Sequence, residues 1–320
     1  MPLVKSNHKP TFLFKNGHFS TIYSAKLRPV PKLLQEREQL QLPDSDFLDI
    51  DWSFSQNPSK KVAILLHGLE GNAQRVYMTG QGKVLVENGW DVASMNHRGC
   101  GGEDNLLYES YNSGRTYDLE FLVEFILNKD RYDEITIIGF SLGGNLVLKY
   151  LGECDTVPKQ LKKGVAVSSP LQLDSSLESL VKRENWIYNK TFINDLRKKY
   201  KRKMPRFPEK MNLADYKQIT SLLAFDNLYT APAHRFADAH DYYKKSSSLQ
   251  FLPNIKTPVL ILNAMNDSFL SKDCYPTEIA SESKNIFLET PEYGGHVGFH
   301  ITNKLYYSEK RALEFINQKY

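Results

Sequence analysis

Cysteine is scarce: Cys100, Cys154 and Cys274 are the only three in 320 residues, and they lie far apart. They are too few and too scattered for a disulfide framework or a cysteine-based zinc site. A reducing, cytoplasmic setting without metal or cofactor is therefore expected. Long apolar runs are also missing. None approaches the roughly 20 residues that a membrane-spanning helix needs, and the stretch around Lys5, Lys9 and Lys15 lacks the continuous apolar core of a signal peptide. Charge is not in large excess, the formal net value being +4. Basic residues cluster once, at Arg197-Lys198-Lys199-Tyr200-Lys201-Arg202-Lys203, and no nucleic-acid recognition motif accompanies them. That excludes a nucleic-acid partner, and the cluster reads as a solvated helix end or loop. A peripheral membrane contact near Lys198 is compatible with this charge, although no amphipathic stripe supports it. Repeats and low-complexity segments are absent too.

What is present is core material, with 41% hydrophobic and 12% aromatic residues. The length suits one large domain or two small ones. Residues 1–45 show no clear periodicity, and Pro29 and Pro31 break any helix there; they read as an extension packed on the body. Residues 47–54 alternate apolar with acidic or polar side chains, as a half-buried strand does. Residues 61–69 are continuously apolar and end in His67-Gly68, which suits a strand covered on both faces. Helical spacing follows at 76–88, a strand at 91–96, helical spacing at 116–128, and strands at 135–140 and 164–169. Strand–helix alternation of this kind predicts an α/β protein with a mostly parallel sheet flanked by helices. The pattern lapses at 170–253, too long for a loop and mostly helical in spacing, so an inserted helical cap is expected there. Strands resume at 258–264 and 285–290, and a helix over 304–319 closes the chain. The core is thus 46–169 plus 254–320.

The stretch Ile135-Thr136-Ile137-Ile138-Gly139-Phe140-Ser141-Leu142-Gly143-Gly144-Asn145 carries the chemistry. A β-branched run enters Gly-x-Ser-x-Gly and leaves as a helix, the order a nucleophile elbow requires. Gly139 and Gly143 allow strand and helix to approach, and Ser141 is the candidate nucleophile. A serine hydroxyl needs a base to take its proton and a carboxylate to orient that base. Asp267 follows a strand end; His296 follows the paired glycines Gly294-Gly295. Asp273 and His300 are their rivals, set further along the chain. Leu142 would supply one backbone N–H to an oxyanion at a helix N-terminus. Leu69 would supply the second, with Gly68 making the turn and His67 buttressing the loop. Arg98 and Cys100 are read as structural. Trp186, Tyr188, Phe192, Phe225 and Tyr229 are aromatics of the cap segment that either line an acyl pocket or simply pack the cap.

Four loops resemble one family: Leu66-His67-Gly68-Leu69-Glu70-Gly71, Asn96-His97-Arg98-Gly99-Cys100-Gly101-Gly102, the elbow, and Gly294-Gly295-His296-Val297-Gly298-Phe299. Together they are similar to the YheT-type α/β-hydrolases, a group that includes yeast medium-chain ethanol acyltransferase/esterases and mammalian abhydrolase-domain lipases. The resemblance implies an α/β-hydrolase fold, a Ser141–Asp267–His296 triad, and a serine esterase acting on short- to medium-chain acyl esters or a lipid-like substrate. Alternatives with the same triad are an acyltransferase, a thioesterase or a phospholipase; a non-catalytic binding scaffold is the remaining one. One departure stands out. The family often has paired aspartates followed by Pro, whereas this chain has Asn266-Asp267-Ser268-Phe269.

Overall fold

A computed structural model describes residues 3–318. Nine strands form one sheet: β1 (Leu3–Val4), β2 (Glu36–Gln41), β3 (Phe47–Ser53), β4 (Lys61–Leu66), β5 (Asp91–Asn96), β6 (Glu134–Phe140), β7 (Leu161–Val167), β8 (Val259–Leu262) and β9 (Ile286–Glu289). Their order is β1-β9-β8-β7-β6-β4-β5-β3-β2. All neighbours run parallel except β3, which is antiparallel to both β5 and β2. The helices are α1 (Gly17–Ile22), α2 (Val76–Glu87), α3 (Tyr117–Asn128), α4 (Leu142–Glu153), α5 (Leu173–Leu180), α6 (Trp186–Lys203), α7 (Leu213–Gln218), α8 (Leu222–Phe225), α9 (Ala231–Ala233), α10 (Ala239–Ser246), α11 (Thr277–Glu282) and α12 (Tyr307–Asn317).

The continuous apolar runs follow from cover on both faces. In β4, Val62, Ile64 and Leu66 join the core beneath α3 and α4, while Ala63 and Leu65 join the one beneath α2 and α12. The period-2 pleat thus sends one strand into two cores. From β7 to β8 the chain is helical, α5 to α10, and Tyr200, Ile219, Leu222, Phe225 and Tyr229 form an apolar cluster of their own there.

Three expectations need correction. The first 45 residues do more than pack on the body, since they supply β1 and β2, the two edges of the sheet. Strand β2, Glu-Arg-Glu-Gln-Leu-Gln, buries only Leu40, so it carries no apolar period. The closing helix spans Tyr307–Asn317 rather than 304–319, and Lys319 lies outside the described residues. Finally, the basic cluster is not simply solvated. Lys199 and Lys203 are buried, Lys199 against Glu70 at 2.6 Å and Lys203 donating to the Asn105 side-chain oxygen at 2.9 Å. Arg202 pairs with Asp104 and Arg197 donates to the Ile219 carbonyl. Lys199, Arg202 and Lys203 answer partners about a hundred residues away, which no local pattern announces.

Candidate active site

Ser141 sits at the join of β6 and α4 with φ 53° and ψ −121°. A non-glycine residue rarely adopts this backbone, and the strain lifts its side chain above the C-terminal edge of the sheet. The crowding around it explains both motif glycines. A Cβ on Gly139 would collide with the backbone of Gly143, and one on Gly143 with the Leu66 carbonyl of β4.

His296 lies in the loop after β9. Its Nε2 accepts the Ser141 hydroxyl proton at 2.9 Å, and its Nδ1 donates to Asp267 Oδ2 at 2.9 Å. An ionised carboxylate is acceptor-only, which fixes the imidazole tautomer. Asp267 is buried in the turn after β8, its second oxygen accepting the Phe269 N–H at 3.0 Å. The structure therefore brings Ser141, His296 and Asp267 together. It places the two rivals elsewhere. Asp273 accepts from Ser175, and His300 stacks on Phe14 with ring centroids 3.6 Å apart.

The loop after β4 faces the same point. A Cβ on Gly68 would stand 3.0 Å from Ser141 Cβ. Leu69 and Leu142 line the cavity in front of Ser141, and Leu142 opens α4, where the first N–H groups have no partner within the helix. His67 is fully buried; its Nε2 accepts the His97 N–H at 3.1 Å, so its Nδ1 carries the proton and donates to the Gly68 carbonyl at 2.8 Å. Burial holds the His67 and His97 pKa values down, that of His97 to about 4, so both stay neutral. Arg98 is locked among Asp44, Asp46 and Asp118. Cys100 touches Lys199, and burial pushes its thiol up to about 11, far from a reactive thiolate.

A cavity of about 150 Å³ opens at Ser141 and His296. Leu173, Leu177, Leu196 and Leu222 give it an apolar wall, joined by Phe192, Phe225 and Tyr229. The other two aromatics singled out in the sequence lie away from it: Trp186 is 57% exposed, and Tyr188 packs on Phe269 from outside.

Several contributing residues gave no local signal. Thr21 Oγ1 accepts the His296 N–H at 2.8 Å, Ser20 donates to the Gly294 carbonyl at 3.1 Å, and Ser24 to that of Gly298 at 3.2 Å. One face of the N-terminal segment thus holds the histidine loop. That loop needs holding, because Gly295, Val297 and Phe299 all have positive φ. Phe269 stacks on the imidazole itself, ring centroids 4.2 Å apart. Glu70 and Asn145 did stand inside quoted motifs. Glu70 pairs with Lys199 and Tyr111, and Asn145 ties α4 to the Ser113 and Ser246 carbonyls.

Sheet, elbow and loop order together define an α/β hydrolase, and the profile described as alpha/beta hydrolase fold matches residues 62–301. The chain is 32% identical over 293 residues to YheT of Escherichia coli (strain K12), named as a candidate esterase, with 89% of this chain and 85% of that protein covered. It is 26% identical over 306 residues to phospholipase ABHD3 of Mus musculus, covering 93% and 74%. To a monoacylglycerol lipase of Saccharomyces cerevisiae it is 27% identical over 274 residues, covering 83% and 59%. An esterase of Pyrococcus furiosus shares the fold with a TM-score of 0.60 at 19% identity, over 89% of this chain and 91% of that one. The chain belongs to the YheT-type α/β-hydrolases.

Proposed function

We propose that this protein is a serine carboxylic-ester hydrolase acting on short- to medium-chain acyl esters. The observation that carries this reading is the unbroken hydrogen-bond chain from the Ser141 hydroxyl through His296 to Asp267, 2.9 Å at each step, at the mouth of an apolar cavity. Ser141 Oγ attacks the ester carbonyl as its proton passes to His296 Nε2. The carbonyl π electrons move to oxygen, and the Leu142 and Leu69 N–H groups receive that oxyanion. Asp267 stabilises the imidazolium, which then protonates the departing alcohol. Water, deprotonated by His296, attacks the acyl-enzyme and returns Ser141. The residues between β7 and β8 act as a cap whose apolar side chains take the acyl chain. Esterase, phospholipase and lipase names among the relatives support ester chemistry. Free Cys100, Cys154 and Cys274 fit a reducing, cytoplasmic compartment.

Labelling with a fluorophosphonate probe tests the reading. Wild type labels and Ser141→Ala does not; folded wild type that fails to label refutes the proposal. With p-nitrophenyl esters of increasing chain length, Asp267→Asn lowers kcat by roughly 10⁴-fold.

A further inference from the structure

The segment that holds the histidine loop turns its other side outward, and that side is apolar. Ser20, Thr21 and Ser24 face inward onto the loop. Phe19 and Ile22, one turn apart on α1, are 37% and 39% exposed. In the helical turn just before, Phe12 and Leu13 are 83% and 61% exposed, while Phe14 between them and α1 is buried against Phe19 and Tyr23. At the start of α6, Trp186 and Ile187 are 57% and 48% exposed. The two elements touch: His18 stacks on Tyr188, ring centroids 5.8 Å apart. A monomeric protein in water rarely leaves a contiguous group of large apolar side chains uncovered.

The charge around this patch is mostly positive, the exposed Glu184 and Glu292 being exceptions. Lys5, Lys9, Lys15, Lys26, Arg28 and Lys32 all precede Glu36, the first acidic residue of the chain. Arg28 is spent on a buried pair with Glu309, so the lysines carry the field. Near Trp186, the exposed Lys182, Arg183 and Lys190 outweigh Glu184. Apolar rings at the centre with lysines around them match an anionic lipid surface, which accepts the rings at its acyl boundary and the ammonium groups among its headgroups. The patch also lies beside the cavity. Tyr188 packs edge-on against Phe269, and Phe269 lines the cavity and stacks on His296.

We infer that the outer face of the N-terminal segment and the start of α6 form a docking surface for an anionic lipid bilayer, holding the mouth of the cavity against the membrane. The substrate it delivers is an ester already resident in that bilayer, a part of the inference that rests on the ester-hydrolase reading. The binding itself does not. This surface replaces the Lys198 region, whose neighbours Lys199, Arg202 and Lys203 are engaged internally.

Co-sedimentation of the full chain with vesicles tests it, using phosphatidylcholine alone or mixed with phosphatidylserine. Wild type binds the mixed vesicles, binds phosphatidylcholine less, and is released by salt. Phe12→Ser/Leu13→Ser/Trp186→Ser weakens binding at least about tenfold. The variant hydrolyses soluble p-nitrophenyl butyrate as wild type does and melts at the same temperature. Wild type that stays in the supernatant, or a variant that binds equally well, overturns the inference. So does a dimer, seen by light scattering, that the variant dissociates, because the face would then belong to a second copy. Failure of wild type to hydrolyse the soluble ester counts against the ester reading alone and leaves the vesicle result standing.

Discussion

Gly68 packs directly against Ser141. A Cβ there would meet Ser141 Cβ at 3.0 Å and Oγ at 3.5 Å, a crowding that pushes the hydroxyl and the Leu69 N–H apart without disturbing either core. Gly68→Ala is expected to lower kcat/KM by about 100-fold, because a misplacement of that size is enough to lose the reactive geometry. Thermal melting should stay close to wild type; a large drop would mean that the glycine serves the fold rather than the site. The loop's other neighbours are neutral imidazoles. With His67 Nδ1 donating to the Gly68 carbonyl, a proton added at Nε2 would cost the bond from the His97 N–H. The two imidazoles packed on the Gly68 loop therefore resist protonation.

Helix α6 and the N-terminal segment each brace a loop of the site through a side chain, and each contact can be cut alone. Helix α6 does so through Lys199, which meets Glu70 of the loop after β4; both side chains are nearly buried. Removing one member of a buried pair strands the other, at a cost of about 3–5 kcal/mol. Lys199→Met is thus expected to lose that much in urea unfolding. Lys199→Met/Glu70→Gln should recover more than half of it, and additive losses would show that the pair is not coupled. The N-terminal segment reaches the site through Thr21. Thr21→Val keeps the shape but leaves the His296 N–H without its 2.8 Å acceptor, worth about 1–3 kcal/mol. The expected result is a kcat roughly tenfold lower at unchanged KM. Thr21→Ser should restore it. A change in KM alone would place the residue in substrate binding instead.

At the scale of the whole molecule, buried and half-buried histidines set the acid limit. His8 and His97 are held down to about 4 and His234 to about 3 by burial, and His67 is lowered in the same direction. Unfolded, each takes its proton near 6.5. Between about 6.5 and 4 the unfolded chain therefore binds more protons, and stability falls as pH falls through that window. For His97 alone the full effect is about 3 kcal/mol, complete below its folded pKa. Urea midpoints measured from pH 7 to 4 should show this decline, and His97→Gln, which keeps a side-chain N–H donor, should make it shallower by the His97 share. A midpoint independent of pH would mean that the histidines protonate without unfolding.

The apolar, strand-like runs that became β4 to β9, the elbow, and the order Ser141, Asp267, His296 were all legible in the chain by itself. Each rests on local physics. A strand covered on both faces must be apolar throughout, a sharp strand-to-helix turn needs small neighbours, and loops at strand ends follow from parallel connectivity. What the linear order did not hold was set by contacts between distant segments. Strand β2 is polar because edge strands need little apolar surface, so no periodicity betrayed it. Lys199 and Lys203 looked solvated because Glu70 and Asn105 come from another part of the chain. Phe269 and Thr21 mattered only once folding laid one on the His296 ring and the other beneath its N–H. Sequence determined the candidate triad and the sheet that carries it; tertiary packing alone decided what steadies those three side chains and which apolar face was left uncovered, since burial and partnership are properties of the whole fold.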